Sequence, residues 1–283
     1  SSVVNVTVAS VNDAPIAVDD TATTNEDESV VINVLQNDSD EEGDAIFIKG
    51  AIITSGQGTI EIRSDNKLVF TPSQDFTGTA SLIYTLSDIE GETANATVII
   101  FITPVNDLPV AVNDQASILE DTVANIQVLE NDTDIDGDEL SLTNVVLLSG
   151  SGQVVVNQNN TLTFTPAANF NGNVEIRYII TDAQGSAANA LLAINVQAVN
   201  DLPSVVSSIA NTMQGTSVQL AALENATDVD NDPLSVLSAS ANHGVLLVLA
   251  DGLLSYTPHT DFFGADVITY SVSDGQGGIV SAS

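Results

Sequence analysis

Val105-Asn106-Asp107-Leu108-Pro109 is the stretch that decides the reading of this chain. The same frame stands at Val11-Asn12-Asp13-Ala14-Pro15 and at Val199-Asn200-Asp201-Leu202-Pro203. The steps from Val11 to Val105 and from Val105 to Val199 are both 94 residues. Other landmarks keep step: Asp40, Asp134 and Asp228; Tyr84 and Tyr178; Thr71-Pro72 and Thr165-Pro166, with Thr257-Pro258 arriving two residues early. A solenoid turn runs roughly 20–50 residues, whereas one β-sandwich takes about 100. The spacing therefore predicts beads on a string, with repeats at 11–104, 105–198 and 199–283. Val4, Val6 and Val8 precede Val98, Ile100 and Ile102 by 94, so residues 1–10 read as the last strand of a preceding repeat. The third repeat is expected to stop before its own last strand. Its open edge would invite a strand from another chain, residues 1–10 of a second copy included.

Within each bead the pattern is β. Leu82, Tyr84 and Leu86 alternate with polar neighbours, as do Ile176, Tyr178 and Ile180, and Ile268, Tyr270 and Val272. A two-residue apolar period describes one buried face of a strand. Turn clusters such as Ser55-Gly56-Gln57-Gly58 and Ser149-Gly150-Ser151-Gly152 punctuate the runs, and no capped helical pattern occurs. Phe70, Phe164 and Tyr256 recur in phase, as do Phe76, Phe170 and Phe262. They read as anchors between two sheets rather than a ligand-stacking platform.

Charge narrows the function. The 283 residues hold 38 Asp and Glu against 4 Lys and Arg, a formal net charge of −34. Such a body repels nucleic acid and anionic membranes, yet with 43% hydrophobic residues it is no acidic disordered tail. Without cysteine there are no disulfides and no thiolate metal sites. No stretch approaches the roughly 20 apolar residues of a membrane span, and any secretion signal is expected outside this fragment. So many acids call for dissolved cations.

Strand parity predicts where the acids go. Repeat one shows seven runs at about 16–24, 29–36, 45–53, 59–62, 67–71, 80–87 and 94–102. If consecutive runs are antiparallel, the loop carrying Asp40, Glu42 and Asp44, together with Asp88, returns to the entry linker Asn12-Asp13. Glu26 and Asp75 fall at the opposite pole, with the exit linker Asn106-Asp107. One step of 94 on, Asp134, Asp136, Asp138 and Asp182 belong to that same junction. The next junction gathers Glu120, Asn169, Asn200, Asp201, Asp228, Asp230, Asp232 and Asp274. Hard oxygens without His or Cys select calcium over zinc or copper. With 6–8 oxygens per ion, ~2–3 ions could share each set.

These residues resemble the cadherin superfamily, in its bacterial form of tandem repeats in giant biofilm and repeats-in-toxin adhesins. The matching motifs are the Asn-Asp-x-Pro linker, the Asp-x-Asp-Gly-Asp-x-Leu loop from Asp134 to Leu140, and Tyr-x-x-x-Asp before the last strand. The resemblance covers essentially the whole chain. It implies seven-stranded Greek-key β-sandwiches, cadherin- or immunoglobulin-like, strung in an elongated rod. Calcium is then bound by linker, flanking poles and an early Glu, matched by Glu26 and Glu120. Three departures stand out: Gln214 replaces that Glu in repeat three, Asn169 replaces Asp75, and Glu42 replaces Asp136. The first puts the exit site of repeat three in doubt; the other two still offer oxygen.

The resulting expectation is a non-enzymatic, calcium-stiffened extender of a secreted or bacterial cell-surface adhesin. Its partners would be neighbouring repeats of the same chain. Direct homophilic or carbohydrate binding, to like adhesins or surface glycans, is the alternative. An EF-hand reading of Asp132 to Gly137 fails because the twelfth position is Thr143, not Glu. Asp274-Gly275-Gln276-Gly277-Gly278 is a single glycine-rich copy and builds no β-roll. His243 and His259 occur only in repeat three and read as lone surface histidines.

Overall fold

The computed structural model describes residues 3–9 and 11–283. Repeat one holds strands β1 (Asp20–Asn25), β2 (Val30–Ile32), β3 (Phe47–Ser55), β4 (Gly58–Ile62), β5 (Leu68–Pro72), β6 (Gly78–Ser87) and β7 (Thr93–Thr103). They form a four-stranded sheet, β1-β7-β6-β3, and a three-stranded sheet, β2-β5-β4. All pairs are antiparallel except β1 with β7, which run parallel with Ala22 opposite Ile100. The alternation read from the sequence sets which face is buried. Leu82, Tyr84, Leu86, Val98 and Ile100 of one sheet meet Leu68 and Phe70 of the other, and none of the seven is exposed. This is a seven-stranded Greek-key sandwich.

Repeat two repeats the plan with β8 (Asp114–Leu119), β9 (Ala124–Ile126), β10 (Ser141–Ser149), β11 (Gly152–Val156), β12 (Leu162–Pro166), β13 (Gly172–Thr181) and β14 (Ala187–Gln197). Its sheets are β10-β13-β14-β8 and β11-β12-β9. Repeat three has β15 (Val218–Ala221), β16 (Ser235–Ala241), β17 (Gly244–Val248), β18 (Leu253–Pro258), β19 (Ile268–Ser273) and β20 (Ile279–Ala282), in sheets β15-β18-β17 and β16-β19-β20.

Three expectations change. The run at 29–36 is not one strand: β2 ends at Ile32 and a 3-10 turn follows at Val34–Gln36. Val34 is wholly buried, on the same side as Ile32, so the turn ends the strand without taking this side chain out of the core. The last strand of repeat three is not missing: β20 forms and pairs Val280 with Val272. Residues 3–9 form no strand; Val3, Val4, Val6 and Val8 are exposed, because alternation alone cannot hold a strand without a sheet to pair with. Ser1, Ser2 and Ser10 of that expected strand lie outside the described residues.

The shortness of β20 leaves its mark. β7 and β14 run 11 residues each and carry the parallel partners of β1 and β8. β20 has four, and no equivalent of β1 forms. Between Ile209, Leu220, Leu254, Tyr256 and Ile268 lies a cleft of about 640 Å³.

Tyr84 and Tyr178 do more than fill the core. The Tyr84 hydroxyl donates toward Val18 O (2.9 Å) and Asp38 Oδ2 (3.0 Å), and Tyr178 toward Val112 O (2.7 Å) and Asp114 Oδ2 (2.8 Å). Burial, then the facing carboxylates, push both phenols far up. Repeat three lacks this clamp: Tyr270 OH reaches Ala222 O at 3.5 Å, and Ala226 stands in phase with Asp132.

It builds another instead. Asp266 accepts from Tyr256 OH (2.7 Å), His243 N (2.8 Å) and Val267 N (2.9 Å), and lies 3.2 Å from His243 Nδ1. The His243 ring stacks on Phe262 at 4.3 Å. His243 is therefore not a lone surface histidine but part of a network. Burial alone would raise the Asp266 pKa; the donors outweigh it and hold the carboxyl at about 2. Its folded pKa is below the unfolded value of about 3.9, so its stabilisation is full above that value and is lost as pH falls through about 2. Asp266→Asn is expected to destabilise repeat three by about 1–3 kcal/mol at neutral pH. In denaturant melts at several pH values the gap to the parent should narrow toward pH ~2. A gap independent of pH would contradict this account.

Candidate metal centre

Two compact units divide the chain by Cα proximity. One runs up to Pro109 and takes in Thr133–Glu139 and Asp182–Ser186; the other holds the rest. The loops of repeat two that carry Asp134, Asp136, Asp138 and Asp182 thus belong with the Asn106-Asp107 linker, as parity requires.

Backbone amides organise this first junction. Asp134 Oδ1 accepts from Asp136 N (2.9 Å) and Asp138 N (3.3 Å), curling the loop around it. Asp136 Oδ2 then accepts from Asp107 N at 2.8 Å. Asp182 Oδ1 holds its own turn through Gln184 N and Ser186 N, while its Oδ2 accepts from Asn106 Nδ2 at 2.8 Å. Val105 N donates to Glu26 Oε1 at 2.6 Å, so the only buried Glu of repeat one among the described residues is aimed at the linker.

The remaining oxygens are the telling ones. Asn106 Oδ1, Asp107 Oδ2 and Asp134 Oδ2 are shielded from solvent and find no hydrogen-bond partner among the described residues. Glu26, Asp107 and Asp136 bring carboxylate oxygens within 4.8 Å of one another, and Asp27, Asp75 and Asp107 form a second such group. Desolvation first, then the charges of Asp75, Asp136, Glu26 and Asp27, raise the Asp107 pKa. Orphaned oxygens among like charges are what a hard cation requires.

The second junction copies the first. Asp228 Oδ1 accepts from Asp230 N (2.9 Å) and Asp232 N (3.4 Å), and Asp230 Oδ2 from Asp201 N (2.8 Å). Asn200 Nδ2 donates to Asp274 Oδ2 (2.8 Å), and Val199 N to Glu120 Oε1 (2.6 Å). Asp201 Oδ2 and Asp228 Oδ2 are the orphans. Glu120, Asp201 and Asp230 form one oxygen group, and Asp228, Asp230 and Asp232 another. Desolvation, then Asp230, Asp121, Glu120 and Asp228, raise the Asp201 pKa. Asn169 takes Asp75's left-handed conformation, and its N–H donates to Asp121 Oδ1 as Asp75 N does to Asp27.

At the entry linker, Asn12-Asp13, the facing loops have the same build. Asn12 Nδ2 donates to Asp88 Oδ2 (2.8 Å), Asp13 N to Glu42 Oε2 (3.3 Å), and Asp44 N to Asp40 Oδ1 (3.1 Å). Asn12 Oδ1 and Asp40 Oδ2 are orphaned. Asp88, Asp182 and Asp274 are buried, and the Asn amide, ahead of backbone N–H groups, lowers the pKa of each. Asp27 and Asp121 escaped the sequence reading. Their signal was the Glu-Asp pair at Glu26-Asp27 and Glu120-Asp121, which becomes Gln214-Gly215 in repeat three. Gln214 Nε2 instead donates to Thr260 O.

Sandwiches in tandem, with acidic loops converging on an Asn-Asp linker, define a cadherin-like class. Residues 105–197 match the cadherin-like domain family. Residues 12–101 and 200–283 match the bacterial Ig domain family, and the chain belongs to that family. These adhesion folds are generally non-enzymatic. Protein GAMETE EXPRESSED 2 of Arabidopsis thaliana is 41% identical over 88 residues, 31% of this chain and 9% of that protein. Human CDH23 EC21-23 matches with a TM-score of 0.62 at 15% identity, covering 95% of this chain and 99% of that one. Protocadherin Gamma B2 extracellular cadherin domains 1-5 match with a TM-score of 0.53 at 15% identity, over 96% of this chain and 58% of that one. At these identities the two structures establish the fold.

Among the described residues no helix is long and apolar enough to cross a membrane.

Proposed function

We propose that this chain is a calcium-binding structural extender of a cell-surface or secreted adhesin, with Ca²⁺ at the Asn106-Asp107 and Asn200-Asp201 linkers stiffening the string of repeats. The observation that carries this reading is the buried, unpartnered Oδ2 of Asp107 and of Asp201, each amid carboxylates from separate loops. Asp134, Asp136 and Glu26 would complete the first site, and Asp228, Asp230 and Glu120 the second. Calcium supplies positive charge that offsets their repulsion and takes up their spare lone pairs. Without it the linkers flex. Extracellular modules of this kind bind at roughly 10⁻⁴–10⁻³ M, so external calcium would rigidify the chain only after export. Cadherin-like and bacterial Ig-like domains support a surface or secreted setting. Long Asp-rich repeats on giant biofilm adhesins are the setting we favour.

Small-angle scattering with millimolar calcium and then with chelator tests the stiffening. The maximum dimension is expected to be well defined with calcium and the distance distribution to broaden without it. Identical curves would sink the proposal. Direct adhesion is a second reading, favoured by Ile99 and Phe101, which lie exposed on the outer face of β7 at 40% and 48%. Glycan-array or cell binding by this chain alone would support it.

A further inference from the structure

Asn171-Gly172 is the one Asn-Gly pair in the sequence. Asn171 is exposed at the end of the turn between β12 and β13. Gly172 takes φ +127°, and the nearest atom to where its Cβ would stand is Phe170 Cζ at 3.9 Å. Gly172 is itself only half-buried, and no side chain on it or close to its Cα crowds the approach to Asn171. It also opens the β13 ladder at the terminal pair Gly172–Val196, where opening costs least. The Asn171 amide is held by one long hydrogen bond, Nδ2 to Glu120 Oε2 at 3.4 Å.

We propose that Asn171 is a site of spontaneous deamidation, which turns a neutral amide at the second junction into a carboxylate. The Gly172 nitrogen, its proton passed to solvent base, attacks Asn171 Cγ. A C–N bond forms, the Cγ–Nδ2 bond breaks, and Nδ2 leaves as ammonia after taking a proton from water. One water then opens the five-membered imide at either carbonyl, leaving aspartate or isoaspartate at position 171. No oxidant or cofactor enters.

The consequence rests on the calcium reading above. Where the first junction has Asp27, Asp75 and Asp107, the second has Asp121, Asn169 and Asp201. A carboxylate at 171 faces Glu120 and adds back a charge that Asn169 omits. Calcium-free, it repels Glu120; calcium-loaded, it becomes a further oxygen donor. The second junction thus tightens its hold on calcium as the protein ages.

The test uses the full chain, held in calcium-free, mildly alkaline buffer and sampled by peptide mapping. The expected result is a gain of about one dalton, with isoaspartate, at Asn171 ahead of every other Asn. Asn171→Gln should stay unchanged. If folded protein keeps Asn171 intact while urea-unfolded protein converts it, the proposal fails. For the consequence, Asn171→Asp is compared with the parent by calcium titration, both carrying Asp107→Asn and Asp134→Asn to silence the first junction. Tightening by about three- to tenfold is expected, and equal affinity would overturn it. A lack of calcium response in both, with deamidation still seen, would fault the calcium reading instead.

Discussion

Replacing Asp107 and Asp134 together by alanine is expected to abolish calcium binding at the first junction while all three sandwiches stay folded. Asp107 joins both oxygen groups at that junction, with Glu26 and Asp136 and with Asp27 and Asp75. Asp134 curls the facing loop and keeps a buried, unpartnered Oδ2. Neither belongs to a hydrophobic core cluster, so repeats one and two should keep their own unfolding transitions. The size of the effect depends on calcium. In chelator, the variant should stay close to the parent in stability, because the loss of two like charges offsets the loss of the Asp134 Oδ1 bonds to Asp136 N and Asp138 N. With calcium at ~100 times the dissociation constant, the parent should gain about 2.7 kcal/mol per site and the variant should forgo it at this junction. Calorimetric titration and thermal melts, each with and without chelator, read both halves. A calcium titration indistinguishable from the parent's would mean the ligands lie elsewhere.

Phe164→Ala is expected to remove a large part of the stability of repeat two. The ring is wholly buried between β12 and the facing sheet, and deleting such a side chain costs about 3–5 kcal/mol. A single domain is stable by only about 5–15 kcal/mol. The ring also explains a glycine. At Gly152 a Cβ would stand 2.5 Å from Thr165 O and 2.8 Å from Phe164 Cζ, so β11 approaches β12 more closely than any side chain permits. Repeat one has the same pairing, Gly58 with Phe70. Chemical denaturation should show one transition moved sharply to lower denaturant, with the transitions of repeats one and three left in place. Loss of all three transitions together would mean that the repeats do not fold as independent beads.

The contrast between Phe164 and Asp107 separates what was legible from what was not. Phe164 is readable because strand alternation is local: residues two apart share a face, whatever else the chain does. The Asp107 environment needed an added assumption, antiparallel succession, to carry loops at Asp40, Asp134 and Asp228 back to the linkers. Registers such as Asp107 N on Asp136 then agreed with it. Asp27 and Asp121 were missed because parity places a loop, not the direction of one side chain. Each is itself left-handed and follows a buried Glu, and that conformation is a feature of turn geometry.

The linker frame, its 94-residue step and the strand alternation were properties of the sequence by itself. Side-chain period and motif spacing are set by backbone geometry that every strand shares, and they sufficed for tandem all-β sandwiches with acidic linkers. Three matters belonged to the tertiary structure alone. They are the end of β2 at Ile32 before the turn at Val34, the pairing of β20 with β19, and the choice of which oxygens around Asn106-Asp107 are already bonded and which are left over. Each depends on partners distant in sequence, because a strand persists only where another strand pairs with it, and an oxygen is free only when no folded neighbour reaches it.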